Sequence, residues 1–139
     1  MVCSYALNEC LPETRRDIVA KAWQATKETL VLIEPGTPLG FSAIKTARTQ
    51  LIKEGGFLVA PCTHENACPL TEGDWCHFSA RLERLPFHRK IKDAQLGYED
   101  EKYSYLIVSK KPFVRPAERI VRQVLQRPGH LILDVCGQK

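Results

Sequence analysis

The first 60 residues alternate between short apolar runs and longer amphipathic stretches, and no other feature of the sequence constrains the fold as much. Apolar runs of strand length lie at residues 2–7, 29–33 and 57–60. The stretches between them, 13–28 and 41–54, have the periodicity of helices. Short connections in the order strand, helix, strand, helix, strand are typical of parallel sheets with crossover helices. We therefore predict an α/β fold with an open, doubly wound sheet.

Both predicted helices have an apolar stripe. The stripe residues are Ile18, Val19, Ala22 and Trp23 in the first helix, and Phe41, Ile44, Ala47, Leu51 and Ile52 in the second. Pro12 precedes the first helix, and Gly55 with Gly56 is a good left-handed stop for the second. The run at 29–33 is continuously apolar, which predicts a strand buried on both faces.

The loops after the three predicted strands are the expected location of any ligand site. These loops cover residues 4–9, 34–40 and the segment from Cys62 onward. In an open α/β sheet the carboxyl ends of parallel strands meet at one edge, where ligands bind. We expect the three loops to lie together at that edge.

Beyond residue 61 the regular alternation stops for about 40 residues, and we divide the chain there. Residues 1–61 are predicted to be a βαβαβ half-domain, 62–101 a cysteine-rich and basic insert, and 102–139 the final strands of the sheet. A strand is predicted at 103–109. Alternating apolar residues after the turn at 127–129 favour a C-terminal β-hairpin, although 117–126 also fits a helix.

Composition narrows the class of protein. With 139 residues, 44% hydrophobic and 26% charged, the chain has the composition of a globular protein of about one domain. It contains no apolar run long enough to cross a membrane and no secretory signal layout. We expect a soluble protein that is not exported and has no membrane partner, with its six cysteines reduced.

Three cysteines fall within one short segment, APCTHENACPLTEGDWCHF, at Cys62, Cys68 and Cys76. Thiolates repel one another unless a cation neutralises them, so the spacing C-x5-C-x7-C in a loop rich in proline and glycine predicts zinc or an iron–sulfur centre. Cys136, at the end of a predicted strand, is the favoured fourth ligand. The rival fourth ligands are His64, His77 and His130. The alternative is that the cysteines are ordinary buried thiols, which is the favoured interpretation for Cys3 and Cys10.

The positive charge is unevenly distributed, although the formal net charge is only +4. The segment 79–92 contains one acidic residue, Glu83, and several basic ones. The residues predicted to contact RNA phosphates are Arg81, Arg84, His88, Arg89 and Lys90. Phe78 and Phe87 are near enough in sequence to stack on bases. The alternative is a solvated surface with no nucleic-acid role.

Several segments together resemble one family: SYALNE, LVLIEPGTPLGF, FLVAPCTHENACPL, WCHFSARLERLPFHRKIK, YEDEKYSYLIVSK and RIVRQVLQRPGHLILDVC. They are similar to the C-terminal half of the methyltransferase-like proteins associated with the small ribosomal subunit, known from mitochondria and with bacterial relatives. The resemblance implies the C-terminal part of a class I, Rossmann-like methyltransferase sheet with a metal-binding insert. It also implies a role in small-subunit assembly or translation, ribosomal RNA as a partner, and a location in the bacterial cytoplasm or the mitochondrial matrix.

The resemblance also implies site residues. It assigns a [4Fe–4S] cluster to Cys62, Cys68, Cys76 and Cys136. Ser4, Tyr5 and Asn8 follow the first strand, in the loop that borders the cofactor S-adenosylmethionine in this fold, and we expect them to line a methyl-transfer site. They equally suit turns or helix caps. Glu34, at the next strand end, suits contact with a substrate amine or pairing with a basic residue, and equally a helix-dipole or loop-bonding role.

One departure from the family concerns the cofactor. The glycine-rich loop that would precede the first strand has no match here. We expect a fragment whose missing N-terminal half, or a partner chain, completes the S-adenosylmethionine site, so that this chain alone is inactive. The sequence leaves two alternatives open: an active S-adenosylmethionine-dependent RNA methyltransferase, and a zinc-stabilised nucleic-acid-binding module.

Overall fold

The computed structural model describes residues 1–91, 93 and 95–137; the side chain of His88 lies outside this description. The elements in chain order are β1 (Val2–Ser4), a 3-10 turn (Leu7–Glu9), α1 (Pro12–Ala25), β2 (Thr29–Pro35), α2 (Pro38–Lys53), β3 (Phe57–Ala60), β4 (Phe78–Glu83), α3 (Pro86–Ile91), β5 (Tyr98–Ser109), β6 (Glu118–Arg127) and β7 (His130–Gly137). The predicted α/β class is confirmed. None of the helices among these residues has the length and apolarity needed to cross a membrane.

The main sheet is mixed, whereas the first three predicted strands indicated a parallel sheet. Its strand order is β1-β2-β5-β3, and β4 pairs with β5. β1 and β2 are parallel, whereas β5 is antiparallel to β2, β3 and β4. β3 therefore runs in the same direction as β1 and β2. The predicted βαβαβ arrangement is present, with β5 inserted between β2 and β3.

Local signals explain where the two long helices begin and end. Pro12 occupies the first turn of α1, where its missing N–H costs nothing. Thr37 caps α2 by accepting the N–H of Gly40 at 3.1 Å, so this helix begins three residues before the predicted residue 41. Gly55, with a φ of 79°, ends it as predicted.

Both helices pack on one face of the sheet. Core strand residues on that face are Leu30, Leu32, Leu58, Leu106 and Val108, and the helices contribute Val19, Trp23, Ala43, Ile44, Ala47 and Leu51. The alternate β2 residues Val31 and Ile33 are only half-buried, so the expectation of a strand buried on both faces was wrong. Among the described residues, no helix layer covers this second face, as a doubly wound sheet would require.

The segment after β3 contains more regular structure than the sequence indicated. β5 is twelve residues long and crosses the predicted boundary between residues 101 and 102. Its first half pairs with β4, from Phe78 opposite Tyr103 to Glu83 opposite Tyr98. The predicted insert is therefore partly an extension of the main sheet.

The predicted C-terminal hairpin is confirmed, and the helical alternative for residues 117–126 is wrong. β6 and β7 are antiparallel and turn at Gly129, whose φ is 79°. They form a separate two-stranded sheet, so the prediction that they are final strands of the main sheet was wrong. This hairpin carries Cys136 back towards the loop that contains the other three clustered cysteines.

Candidate metal centre

The cysteine loop, residues 61–77, connects β3 to β4 and lies against α2. Its first part is tightly packed: Thr63 is fully buried and His64 is 7% exposed. Cys62 packs against the hydrophobic core. The loop also reaches the carboxyl end of β2, because the indole N–H of Trp75 donates to the carbonyl of Gly36 at 3.0 Å.

The four predicted ligand cysteines come together. Cys62, Cys68, Cys76 and Cys136 are half-buried, and all four line one cavity of about 680 Å³ between α2, β5, the cysteine loop and the hairpin. Burial first, and then the neighbouring sulfurs of Cys62, Cys136 and Cys68, together raise the pKa of the Cys76 thiol to about 12. The four sulfurs are therefore close enough to interact electrostatically.

The arrangement is not that of a closed site for a single ion. Among the described residues, no three His, Cys, Asp or Glu side chains stand where they could together hold one metal ion. The ligand role of the four cysteines therefore stays a prediction. The donor set fits an iron–sulfur cluster in its chemistry, because four thiols face one cavity and thiolates are the usual ligands of such clusters.

Arg48 brings a positive charge to this cavity. It lies on α2, is 5% exposed and donates from Nε to the sulfur of Cys62 at 3.3 Å. Its terminal nitrogen also donates to the carbonyls of His64 and Asn66, at 2.8 Å each. Burial raises the pKa of the Cys62 thiol, and the Arg48 charge works against that rise.

The sequence analysis missed Arg48, although a signal was present. Arg48 is buried with Ile44, Ala47 and Leu51, and these positions share one helical stripe. A charged residue on a buried apolar stripe calls for a partner. Here the partners are one cysteine sulfur and two loop carbonyls.

Arg122 of β6 attaches the hairpin to the cysteine loop. Its backbone N–H donates to the carbonyl of His77 at 3.0 Å, and its Nε donates to the carbonyl of Trp75 at 3.3 Å. The guanidinium also forms ion pairs with Asp74 of the loop and Asp134 of β7. These contacts hold β7, and with it Cys136, beside the loop.

The three histidines proposed as rival ligands lie in different places. Nε2 of His64 is 3.9 Å from the Cys136 sulfur, and its Nδ1 is buried with no partner among the described residues. His77 stacks on Trp75, and burial lowers its pKa. His130 is at the other end of β7 from Cys136, about 20 Å away along the strand. Of the three, His64 is the one placed at the cavity.

The two other cysteines are away from this cavity. Cys3 lies in β1, where burial raises the pKa of its thiol. Cys10 donates its S–H to the carbonyl of Ala6 at 3.3 Å. Both positions agree with the interpretation of ordinary, partly buried thiols.

The loops after β1 and β2 meet at the carboxyl edge of the sheet, as predicted. The fully buried carboxylate of Glu34 accepts the N–H groups of Ala6, Leu7 and Asn8 at 3.2, 2.8 and 3.0 Å. Of the roles that the sequence left open for Glu34, the structure therefore shows the loop-bonding one.

The three residues expected at a methyl-transfer site follow β1. Ser4 and Tyr5 are exposed, and Tyr5 has a φ of 55°. The side-chain oxygen of Asn8 is buried with no partner among the described residues. These positions leave both the cofactor and the turn interpretation open.

The basic residues predicted to bind RNA are partly neutralised. Arg81 forms a two-bonded ion pair with Asp100, at 2.7 and 2.9 Å, and Arg84 pairs with Glu99 at 2.9 Å. The sequence analysis missed these acidic partners because it considered only the segment 79–92. Glu99 and Asp100 lie on β5, which pairs with β4. Phe78 is half-buried and packs edge-on against Tyr105 with ring centroids 4.9 Å apart, and its stacking on bases stays a prediction.

The remaining members of that basic set lie on or near α3. Arg89 donates to the carbonyl of Gln95 at 3.2 Å, and Lys90 is exposed. The exposed fraction of Phe87 is 69%. The predicted His88 contact lies outside the described side chains. RNA binding by this set stays a prediction.

Comparison with known proteins identifies the family. The sequence profile described as Rsm22, mitochondrial small ribosomal subunit Rsm22, matches residues 1–139. The chain belongs to the Rsm22 family. This agrees with the resemblance found in the sequence, in which the matching segments run in the family's order.

Individual relatives give the same picture. The chain is 32% identical over 152 residues to the Homo sapiens protein described as ribosome assembly protein METTL17, mitochondrial, covering 98% of this chain and 31% of that protein. It is 28% identical over 149 residues to Rsm22-cox11 tandem proteins 1 and 2, mitochondrial, of Schizosaccharomyces pombe, covering 77% of this chain and 20% of each. The chain thus spans about a third or less of these relatives.

Proposed function

We propose that this chain is the cluster-bearing part of a methyltransferase-like factor that acts in assembly of the mitochondrial small ribosomal subunit. The observation that carries the proposal is the convergence of four thiols on one cavity in a member of the Rsm22 family. The relatives' names support the assembly role and the mitochondrial location. They give no support to the bacterial cytoplasmic alternative.

The proposed cofactor is a [4Fe–4S] cluster on Cys62, Cys68, Cys76 and Cys136. A structural zinc ion binds four ligands at about 2.0–2.3 Å and needs little space. Among the described residues no three donor side chains stand where they could hold one ion, which favours the larger cluster. When bound, the cluster supplies a redox-active centre that also cross-links the cysteine loop to the hairpin. Zinc in a nucleic-acid-binding module is the alternative.

The proposed Rossmann-like methyltransferase character rests on the first 60 residues. β1, β2 and β3 run in one direction and are joined by α1 and α2, and ligand sites in such sheets lie beyond the carboxyl ends of the strands. Ser4, Tyr5 and Asn8 are at that edge, where Glu34 fixes the loop. We propose that S-adenosylmethionine binds there only when the glycine-rich part of the fold is also present. Active methyl transfer to RNA remains the alternative to a purely assembly-related role.

Ribosomal RNA is the proposed partner. Arg89 and Lys90 on α3 are predicted phosphate contacts, and no carboxylate of a described residue forms an ion pair with either of them. Arg81 and Arg84 would have to exchange their present acidic partners for phosphate. We therefore place the first RNA contact at α3.

The deciding experiment is measurement of iron, acid-labile sulfide and zinc, with a visible absorption spectrum, on protein purified without oxygen. Near four irons and four sulfides per chain, lost in Cys136→Ser and kept in the control Cys10→Ser, would support the cluster. Cys10 is a suitable control because its thiol lies outside the cavity. One zinc and no iron would replace the proposal with the zinc module.

A further inference from the structure

We infer that Arg48 is a positioning residue for the proposed cluster, and that its hydrogen bond to the Cys62 sulfur raises the reduction potential and slows cluster loss. The inference rests on the proposed function, since it concerns the same cavity. Arg48 is not one of the ligands suggested by the cysteine spacing. Only the structure shows that Arg48 lies at the cysteine cavity.

The burial of Arg48 calls for a negative partner. The side chain is 5% exposed on α2, and no described carboxylate forms an ion pair with it. A buried charge is costly unless a counter-charge and hydrogen bonds compensate it. Four thiolates around a cluster would supply the negative charge in the cavity that Arg48 lines.

The guanidinium also fixes the path of the cysteine loop. Its Nε–H points to the Cys62 sulfur, and its terminal N–H groups reach the carbonyls of His64 and Asn66, which lie between Cys62 and Cys68. A rigid, planar fork can serve three acceptors at once, whereas a lysine ammonium on a flexible stem cannot keep the same set. Arg48 therefore holds the loop between two of the proposed ligands.

The hydrogen bond has a direct effect on redox chemistry. Reduction adds one electron to the cluster and increases the negative charge on its sulfur ligands. A donor aimed at sulfur, together with a nearby positive charge, stabilises the reduced form more than the oxidised form. Removal of Arg48 should therefore lower the reduction potential.

The test uses the 139-residue chain, reconstituted with iron and sulfide without oxygen and reduced by dithionite. The variants are Arg48→Met, Arg48→Lys and the matched control Lys45→Met. Lys45 lies one turn earlier on α2, lines the same cavity and donates to the carbonyl of Leu70 at 3.2 Å, with no bond to sulfur. The readouts are the reduction potential, the rate of iron loss to a chelator, and far-UV circular dichroism.

We expect Arg48→Met to lower the ratio of reduced to oxidised cluster at a fixed potential by about tenfold, equivalent to about 59 mV for one electron. Iron loss should be faster than in the wild type and in Lys45→Met. Arg48→Lys keeps the positive charge, yet it should lose iron faster than the wild type. If Arg48→Met does not fold, the comparison of Arg48→Lys with the wild type tests the inference. If the wild type and Arg48→Lys have equal reduction potentials and equal rates of iron loss, the inference about Arg48 is wrong. That result would not contradict the proposed cluster. Wild-type protein that takes up no iron would overturn both.

Discussion

The guanidinium of Arg122 on β6 pairs with the carboxylate of Asp74 in the cysteine loop, 48 residues away in sequence. This contact, with the bonds from Arg122 to Trp75 and Asp134, joins two segments that the sequence does not link. It matters because the hairpin has little other support: much of β6 and β7 is exposed on both faces. A two-stranded hairpin is marginal by itself in water.

Loss of the Arg122 contacts should loosen the hairpin. We expect Arg122→Gln to reduce hydrogen-exchange protection of the β7 amides by roughly fivefold, the scale of a partly exposed ion-pair contact. Amides of β2 and β5 should keep their protection because they belong to the main sheet. The control is Arg127→Gln, at the exposed end of the same strand. Equal β7 protection in the two variants would show that Arg122 does not hold the hairpin.

Glu34 should contribute strongly to global stability. It is fully buried and accepts three backbone N–H groups, and hydrogen bonds to a charged group contribute about 1.5–3 kcal/mol each. We expect Glu34→Gln to lower the free energy of unfolding in urea by about 2 kcal/mol, since the amide replaces one acceptor with a donor. The control Glu28→Gln, at an exposed position, should stay within about 0.5 kcal/mol. A Glu34→Gln loss no larger than the control would refute this account of the loop.

Asp100 should titrate at an unusually low pH. The hydrogen bond from the Arg81 guanidinium holds the pKa of this carboxyl below its usual range. Because the folded-state pKa is lowered, the pair stabilises the fold above the unfolded carboxyl pKa of about 3.9, and this contribution is lost as the pH falls through the folded-state value. Carboxyl-carbon NMR should give a midpoint below about 3.9 in the wild type, returning to the ordinary range in Arg81→Gln. Identical midpoints would contradict the pairing.

RNA binding, if α3 is the contact, should depend on Arg89 and Lys90. The double change to Gln should weaken binding to a small-subunit rRNA fragment and reduce the slope of log affinity against log salt by up to about 1.8, the value for two phosphate contacts. The control is Arg16→Gln with Lys21→Gln, which removes the same charge from exposed positions on α1. Unchanged affinity of the α3 variant at low salt would rule out this interface.

The local elements were predictable because their signals are local. The stripe from Ile44 to Leu51 and the glycine at residue 55 are enough to indicate α2 and its end. The grouping of Cys62, Cys68 and Cys76 in one loop likewise requires no long-range information. For the same reason the family could be identified from segments spread along the chain.

Only the tertiary structure determines the contacts between distant segments. The insertion of β5 between β2 and β3 made the sheet mixed, and periodicity cannot reveal this because strand direction leaves no mark on a short apolar run. The same applies to Arg48 beside Cys62 and Asp100 beside Arg81, which are partners across helix, loop and sheet. Sequence determines the propensities and chemical groups of each segment, whereas burial and pairing depend on which segments pack together.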